Sequence, residues 1–239
     1  MRNYLGWLII LMIGVLSVTM VLATPTGPGT ITNLGSSRYS TAGAGNVSAI
    51  AGNVTEINFI ATTITNTWQG YFGNISGMIV LGNSNNQSMY NWNLSSPSGE
   101  IYATRASATP TWASVVCATT AQVNTEDTAL GVNASVDQDA ANRTFLNTTS
   151  FTSFYVGSVN INTTQNCRAV NLFNGTIAPS NNFQEVLLHD GTSMIYTGVV
   201  TQDANGFDNR THDFEMIVGE NGHSGDVATT PYYFYLELH

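Results

Sequence analysis

Short β-prone runs separated by turn-forming residues fill most of the chain after residue 53, and this pattern restricts the possible folds more than any other feature. The runs cover residues 54–60, 78–81, 101–104, 151–156, 186–188 and 194–200, with Gly, Asn, Ser and Asp between them. No long segment after residue 23 has the period of an amphipathic helix. The pattern therefore predicts an all-β fold, an antiparallel β-sandwich of the immunoglobulin-like or jelly-roll-like type.

Near the C-terminus, apolar and polar residues alternate with the two-residue period of a strand. Phe214, Met216 and Val218 fall on one face, and Asp213 and Glu215 fall on the other. In the last stretch, one face takes Tyr232, Phe234, Leu236 and Leu238, and the other takes Tyr233, Tyr235 and Glu237. We expect this last strand to close its sheet, and we expect one short helix over residues 112–122.

The sequence predicts a signal peptide or hydrophobic leader helix over residues 1–23, with Arg2 ahead of an almost uninterrupted apolar run. The leader is a secretory signal peptide removed after Ala23, or an uncleaved anchor, since about 19 apolar residues can span a bilayer. A third interpretation is cleavage near Gly6, which leaves a hydrophobic helix to pack in a filament core, as in type IV pilins and archaeal flagellins. All three interpretations place Arg2 inside the cell and the residues after Ala23 outside.

The segment after the leader, residues 24–52, is rich in Gly, Ser, Thr and Ala and carries Pro25 and Pro28 at its start. This composition predicts an extended arm without a core of its own. The sequence thus divides into a leader (1–23), an arm (24–52) and a β-sandwich domain (53–239).

The charge balance argues against nucleic acid as a partner. The formal net charge is −9, the six basic residues are all arginine, and only 9% of residues are charged. Binding to a phosphate backbone needs a clustered positive field. Lysine is also a common protector of edge strands, so in this chain either glycans cover the edges or the edges pair with another chain.

Eleven Asn-x-Ser/Thr sequons follow the leader. They begin at Asn46, Asn53, Asn74, Asn86, Asn93, Asn133, Asn142, Asn147, Asn162, Asn174 and Asn209. A chain rich in Asn and Thr forms sequons by chance at about half this frequency. Together with the leader, they indicate an N-glycosylated protein at the cell surface or outside the cell.

The two cysteines, Cys117 and Cys167, lie in no metal-binding motif. In an exported protein they predict one disulfide that closes a loop of about 50 residues. Two buried free thiols are the alternative.

No motif in the chain indicates an enzyme or a resident cofactor. Asp203, Asn205 and Asp208 form a weak calcium candidate, but the loop is not an EF-hand because Gly206 is fourth from Asp203 and no Glu is twelfth. The histidines lack zinc-ligand spacing, so we expect scattered strand or surface positions. Aromatic residues around Trp68 and Trp92 form either core or a sugar-binding face, and the latter requires both tryptophans to be exposed together.

One set of motifs resembles a known kind of protein. Residues 67–77 read TWQGYFGNISG, and they are followed by Tyr90-Asn91-Trp92 and by GEIYA at residues 99–103. With Gly206-Phe207-Asp208 and the sequence YYFY at residues 232–235, they resemble a family of secreted archaeal surface proteins. The resemblance implies an archaeal envelope location and assembly into a surface layer or an extracellular filament, and it assigns no activity and no site residues.

These observations predict a structural, non-enzymatic subunit of an extracellular, pilus-like filament or a surface layer. Its partner is a second copy of itself, because a coreless arm can add as a strand to the open sheet edge of a neighbour. It contacts a membrane only through the leader, if the leader is retained. The alternatives are a carbohydrate-binding adhesin that uses Trp68 and Trp92, and a type IV pilin-like subunit polymerised through the leader helix.

Overall fold

A computed structural model of the protein describes residues 23–175, 179–221 and 229–239. The hydrophobic run of the predicted leader, up to residue 22, lies outside the described residues. Within them, no helix is both long enough and apolar enough to span a bilayer.

The described residues form mainly strands, and every strand pairing is antiparallel. The predicted all-β class is confirmed. The strands are β1 (Trp68–Gly73), β2 (Gly77–Gly82), β3 (Ser88–Leu94), β4 (Gly99–Thr104), β5 (Val116–Cys117), β6 (Phe154–Val156), β7 (Val159–Ile161), β8 (Arg168–Phe173), β9 (Pro179–His189), β10 (Met194–Val200), β11 (Ala204–Asn205), β12 (Thr211–His212), β13 (Phe214–Gly219) and β14 (Tyr233–Leu238). The helices are α1 (Thr120–Ala129) and α2 (Ala141–Thr144), with 3-10 turns at Trp112–Ser114 and Thr163–Gln165.

The largest sheet has six strands in the order β14-β4-β10-β9-β5, and β8 also pairs with β9. Both of its faces are buried, because successive side chains of a strand point to opposite faces and both sets meet other elements. On β4, Tyr102 belongs to one core cluster, and Ile101 and Ala103 belong to the other. The central sheet therefore separates two hydrophobic cores.

Different elements cover the two faces. The first core contains Phe154, Val156 and Ile161 of the β6–β7 hairpin and Trp112 of the 3-10 turn. The second core is covered by α1, α2 and the two-stranded β1–β13 sheet, which supply Val123, Ala141, Met216 and Val218.

The alternation predicted near the C-terminus is confirmed. Phe214, Met216 and Val218 all pack in the second core, as do Phe234 and Leu236 of β14 and Tyr232 just before it. The opposite faces of these two strands carry polar residues, as predicted, but their acidic residues are buried and not exposed to solvent. Glu215 and Glu237 are each 5% exposed, because other parts of the chain cover both faces of these strands.

The predicted helix over residues 112–122 is wrong in its bounds. The chain forms a 3-10 turn at Trp112–Ser114 and a short strand before α1 begins at Thr120. Thr119 caps α1, since its side chain accepts the amide hydrogen of Gln122 while the Gln122 side chain accepts from the Thr119 amide. This capping box, and not a helical period of apolar residues, determines where the helix begins.

The predicted disulfide between Cys117 and Cys167 is confirmed. It joins the end of β5 to the residue before β8, with 4.8 Å between the two Cα atoms. Both strands pair with β9, so the bond ties two partners of the same strand together.

Candidate functional site

The most unusual surface of the molecule is its N-terminal segment. Residues 29–63 are exposed throughout, and the run 54–60 predicted as a strand forms none. Apolar side chains project from this segment with almost no contact: Leu34 is 95% exposed, Val54 102% and Ile60 101%. We call residues 29–63 the exposed segment. It continues beyond residue 52, where the sequence pattern placed the end of the arm.

The root of this segment is attached to the domain. Pro25 is buried, and Thr26 forms a two-residue antiparallel bridge with Leu236 of β14. The Thr26 amide donates to the Leu236 carbonyl at 2.9 Å, and the Leu236 amide donates to the Thr26 carbonyl at 2.8 Å. Among the described residues before β1, this bridge is the only strand-like pairing with the rest of the chain. At the other end of the segment the Thr67 carbonyl accepts the Glu220 amide hydrogen at 2.6 Å, so the segment is fixed at both ends and unpaired between them.

The β2–β3 hairpin is a second exposed element, and within the described residues its strands pair only with each other. Opposite Ile79 lies Trp92, and opposite Leu81 lies Tyr90, so these four side chains share one face. The Tyr90 and Trp92 rings are 4.8 Å apart. The other face carries Met78 opposite Asn93, which begins a sequon. One face of the hairpin is thus aromatic, and the other carries a candidate glycan.

The sequons differ in accessibility. Eight of the asparagines are exposed: Asn46, Asn53, Asn74, Asn86, Asn93, Asn133, Asn147 and Asn209. Asn142, Asn162 and Asn174 are half-buried. Glycosylation stays a prediction at all eleven, and the surface exposure of the eight is compatible with it.

The asparagine side chains of two half-buried sequons form hydrogen bonds within the fold. The Asn142 side chain donates through Nδ2 to Asn124 Oδ1 at 3.1 Å. The Asn162 side chain caps the following 3-10 turn by accepting the Thr164 amide hydrogen at 3.0 Å. A sugar is attached through Nδ2, so modification of Asn142 competes directly with its hydrogen bond.

The two tryptophans do not share an exposed face. Trp68 packs on the second core with its ring 5.7 Å from that of Phe145, and its Nε1 donates to the Asp139 carbonyl at 2.6 Å. Trp92 is 49% exposed on the hairpin. The condition that a sugar-binding face built on both residues requires is therefore not met.

The three residues of the calcium candidate have separate surroundings. Asp208 accepts the Arg210 amide hydrogen at 3.0 Å and Arg210 Nε at 2.6 Å, and it lies 2.9 Å from His212 Nε2. Burial opposes the shift, but these contacts lower the pKa of Asp208 to about 2. Asn205 donates to the Asn174 carbonyl at 2.8 Å, and Asp203 is exposed in a left-handed turn. No group of three His, Cys, Asp or Glu side chains in the described parts of the chain could hold a metal ion.

Sequence reasoning missed a pair of buried carboxyl groups. Glu100 of β4 lies directly opposite Glu237 of β14, and the two side chains are 3% and 5% exposed. Glu237 accepts the Gly157 amide hydrogen at 2.9 and 3.1 Å and the Tyr102 hydroxyl at 3.3 Å. Glu100 Oε2 is buried without a hydrogen-bond partner. Burial, followed by the charge of Glu237, raises the pKa of Glu100 to about 8, and burial raises that of Glu237.

Comparison with protein-family models, with curated proteins and with solved structures gave no match to this chain. The resemblance to secreted archaeal surface proteins therefore stays a prediction that rests on the sequence motifs.

Proposed function

We propose that this protein is the repeating structural subunit of an extracellular filament or surface layer, and that it assembles by strand donation. The observation that carries the proposal is the exposed segment. Val54, Phe59 and Ile60 are 84–102% exposed in the isolated chain, which leaves apolar surface in water with no contact to the subunit's own core. Burial against a second subunit would recover roughly 25 cal/mol for each Å² of apolar surface.

The β2–β3 hairpin is the acceptor that suits such a segment. An isolated two-stranded hairpin is only marginally stable in water, and a third strand adds main-chain hydrogen bonds and buries alternate side chains. The outer edges of β2 and β3 pair with nothing else among the described residues. The half-exposed side chains of Ile79, Leu81 and Trp92 offer an apolar surface beside those edges.

Donation from one subunit to the next is a head-to-tail contact. Such a contact does not use the same surface on both subunits, so it continues into an open chain unless its rotation closes a ring. The base of the segment is held on β14 by Thr26, which gives each subunit a fixed point from which the donated strand departs.

An extracellular location for this assembly is supported by two features. The Cys117–Cys167 disulfide is typical of proteins from oxidising compartments. The exposed asparagines of eight sequons are accessible to glycans, which would keep the unpaired faces soluble. For the finer fold we propose a β-sandwich in which the β1–β13 sheet is the smaller layer, because Met216 and Val218 pack against the central sheet.

The test is a triple variant of the mature protein, Val54→Asp, Phe59→Asp and Ile60→Asp. Charges at these exposed positions should leave the melting temperature unchanged and abolish assembly, as seen by negative-stain electron microscopy and sedimentation velocity. The matched control is Val136→Asp, an exposed apolar residue of the domain, which should assemble normally. Filaments or layers formed by the triple variant would show that strand donation is wrong.

A carbohydrate-binding adhesin is the second candidate, and the exposed Tyr90–Trp92 ring pair favours it. Aromatic faces stack on sugar rings, but the role predicted for Trp68 is lost because that residue belongs to the core. Glycan-array binding that disappears in Trp92→Ala would support this function. The pilin-like alternative depends on the leader helix, which lies outside the described residues.

A further inference from the structure

The Glu100–Glu237 pair has the properties of a binding site for one positive charge. Like charges directly opposite each other on neighbouring strands are destabilising, and burial of a charge without a partner costs still more. Glu237 has hydrogen-bond donors in Gly157 and Tyr102, whereas Glu100 Oε2, in a side chain that is 97% buried, has none. No ion pair in the described structure neutralises either carboxylate.

The N-terminal end of the described chain runs along β14 and packs on Gly157. The bridge between Thr26 and Leu236 lays the chain against β14, one residue from Glu237. Thr24 then packs on Gly157: a Cβ atom added to that glycine would lie 3.5 Å from Thr24 Cγ2 and 4.0 Å from its Cα. Gly157 is the residue whose amide donates to Glu237. Thr24 thus packs on the residue whose amide donates to Glu237.

We propose that the Glu100–Glu237 pair binds the α-ammonium group of Thr24 after the leader is removed. A signal peptidase hydrolyses the Ala23–Thr24 peptide bond with one water molecule. Ala23 leaves with the new carboxylate, and Thr24 keeps an amine that takes up a proton at neutral pH. This inference rests on cleavage after Ala23, which the sequence predicts, and not on filament assembly.

The same site distinguishes the precursor from the mature protein. Before cleavage, the nitrogen of Thr24 is an uncharged amide, and the carboxylate pair lacks a counter-charge. After cleavage, the ammonium group supplies one positive charge and up to three donors, and the pair offers an acceptor, Glu100 Oε2, that has no other partner. Removal of the leader therefore stabilises the fold at β14, the edge strand of the central sheet.

The absence of lysine makes the test direct. After cleavage, the α-amine of Thr24 is the only primary amine in the protein, so an amine-selective acylating reagent reports on this group alone. An exposed α-amine has a pKa of about 7.7–8.0, and one unit of upward shift slows labelling about tenfold below that pH. We expect the mature protein at pH 7 to be labelled at least about tenfold more slowly than an unstructured peptide with the same first residues.

The matched variants are Glu100→Gln and Glu237→Gln, which should both restore the labelling rate of the peptide. Protein acetylated at its α-amine, and then treated with hydroxylamine to remove acetyl esters from tyrosine, keeps its sequence and loses the positive charge, and it should melt at a lower temperature than the free form. The labelling is measured on protein that also carries Val54→Asp, Phe59→Asp and Ile60→Asp, so that the result does not depend on filament formation. Peptide-like labelling of the mature protein, or N-terminal sequencing of the secreted protein that shows a start other than Thr24, overturns the proposal.

Discussion

Glu100 and Glu237 lie opposite each other on adjacent antiparallel strands, and both carboxyl groups are buried on the face of the sheet that carries Tyr102. Two ionised carboxylates at this spacing repel each other in a medium that solvates them poorly. The contact between Glu100 and Glu237 therefore stabilises or destabilises β14, the edge strand of the central sheet, depending on whether the carboxyl groups are protonated.

The first prediction concerns the pH dependence of stability in the N-acetylated protein. Burial and the charge of Glu237 raise the pKa of Glu100 from 4.5 to about 8 in the folded state. Below pH 4.5 the Glu100 carboxyl group is neutral in both the folded and the unfolded state, so its ionisation does not reduce the free energy of unfolding. As pH rises towards 8, the unfolded chain ionises first, so the free energy of unfolding falls by a few kcal/mol, at roughly 1.4 kcal/mol per pKa unit.

Urea unfolding at pH 5, 6.5 and 8 measures this dependence. Besides Glu237, the groups coupled to the pair are Tyr102, which stays neutral in this range, and His239, whose charge lowers the pKa of Glu237. Glu100→Gln should make the dependence between pH 5 and 8 less steep, and the remaining slope comes from other buried carboxyl groups with a raised pKa, such as Glu185. An equally steep loss of stability in Glu100→Gln would assign the effect to other groups.

The pair also shows where sequence reasoning reached its limit. Alternation in the last strand correctly separated Phe234 and Leu236 from Glu237, because each strand has two faces. Alternation does not reveal what covers each face, and here the loop at Gly157 closes over the polar one. The disulfide was predictable because there were only two cysteines. The exposure of residues 54–60 was not, since an apolar run in a sequence predicts a buried strand whether or not the same chain supplies a partner for it.

The second prediction is that the disulfide contributes substantially to stability. Cys117 and Cys167 are 50 residues apart, and the chain-entropy model gives about 4 kcal/mol for closing such a loop in the unfolded state. The double variant Cys117→Ala, Cys167→Ala should unfold at a clearly lower urea concentration. Wild-type protein reduced with dithiothreitol is the control and should behave like the variant. Two titratable thiols in denatured, unreduced protein would show that the bond does not form.

The third prediction separates the sequons by their structure. Asn142 Nδ2 donates to Asn124, and its Oδ1 is buried, so a glycan there would displace packed neighbours. We expect Asn142 to be unmodified and the exposed Asn133 to be glycosylated. Asp-N cleavage at Asp137 and Asp139 places the two sequons on different peptides for mass spectrometry. Full occupancy of Asn142 would mean that this part of the chain is modified before it folds.

The fourth prediction distinguishes the two tryptophans. Trp68 packs beside Phe145 and donates to the Asp139 carbonyl, so Trp68→Ala removes aromatic packing and leaves an acceptor without its donor. A fully buried Trp→Ala change costs about 3–5 kcal/mol, and we expect about 2–3 kcal/mol for this half-buried residue.

Trp92 packs edge to face against Tyr90 on the exposed hairpin, and Trp92→Ala should change the free energy of unfolding by less than about 1 kcal/mol. Its effect should appear in assembly, because the ring belongs to the apolar face proposed to receive a neighbouring strand. Urea unfolding and electron microscopy of both variants measure the two effects separately. Normal assembly of Trp92→Ala together with lost glycan binding would instead favour the adhesin function.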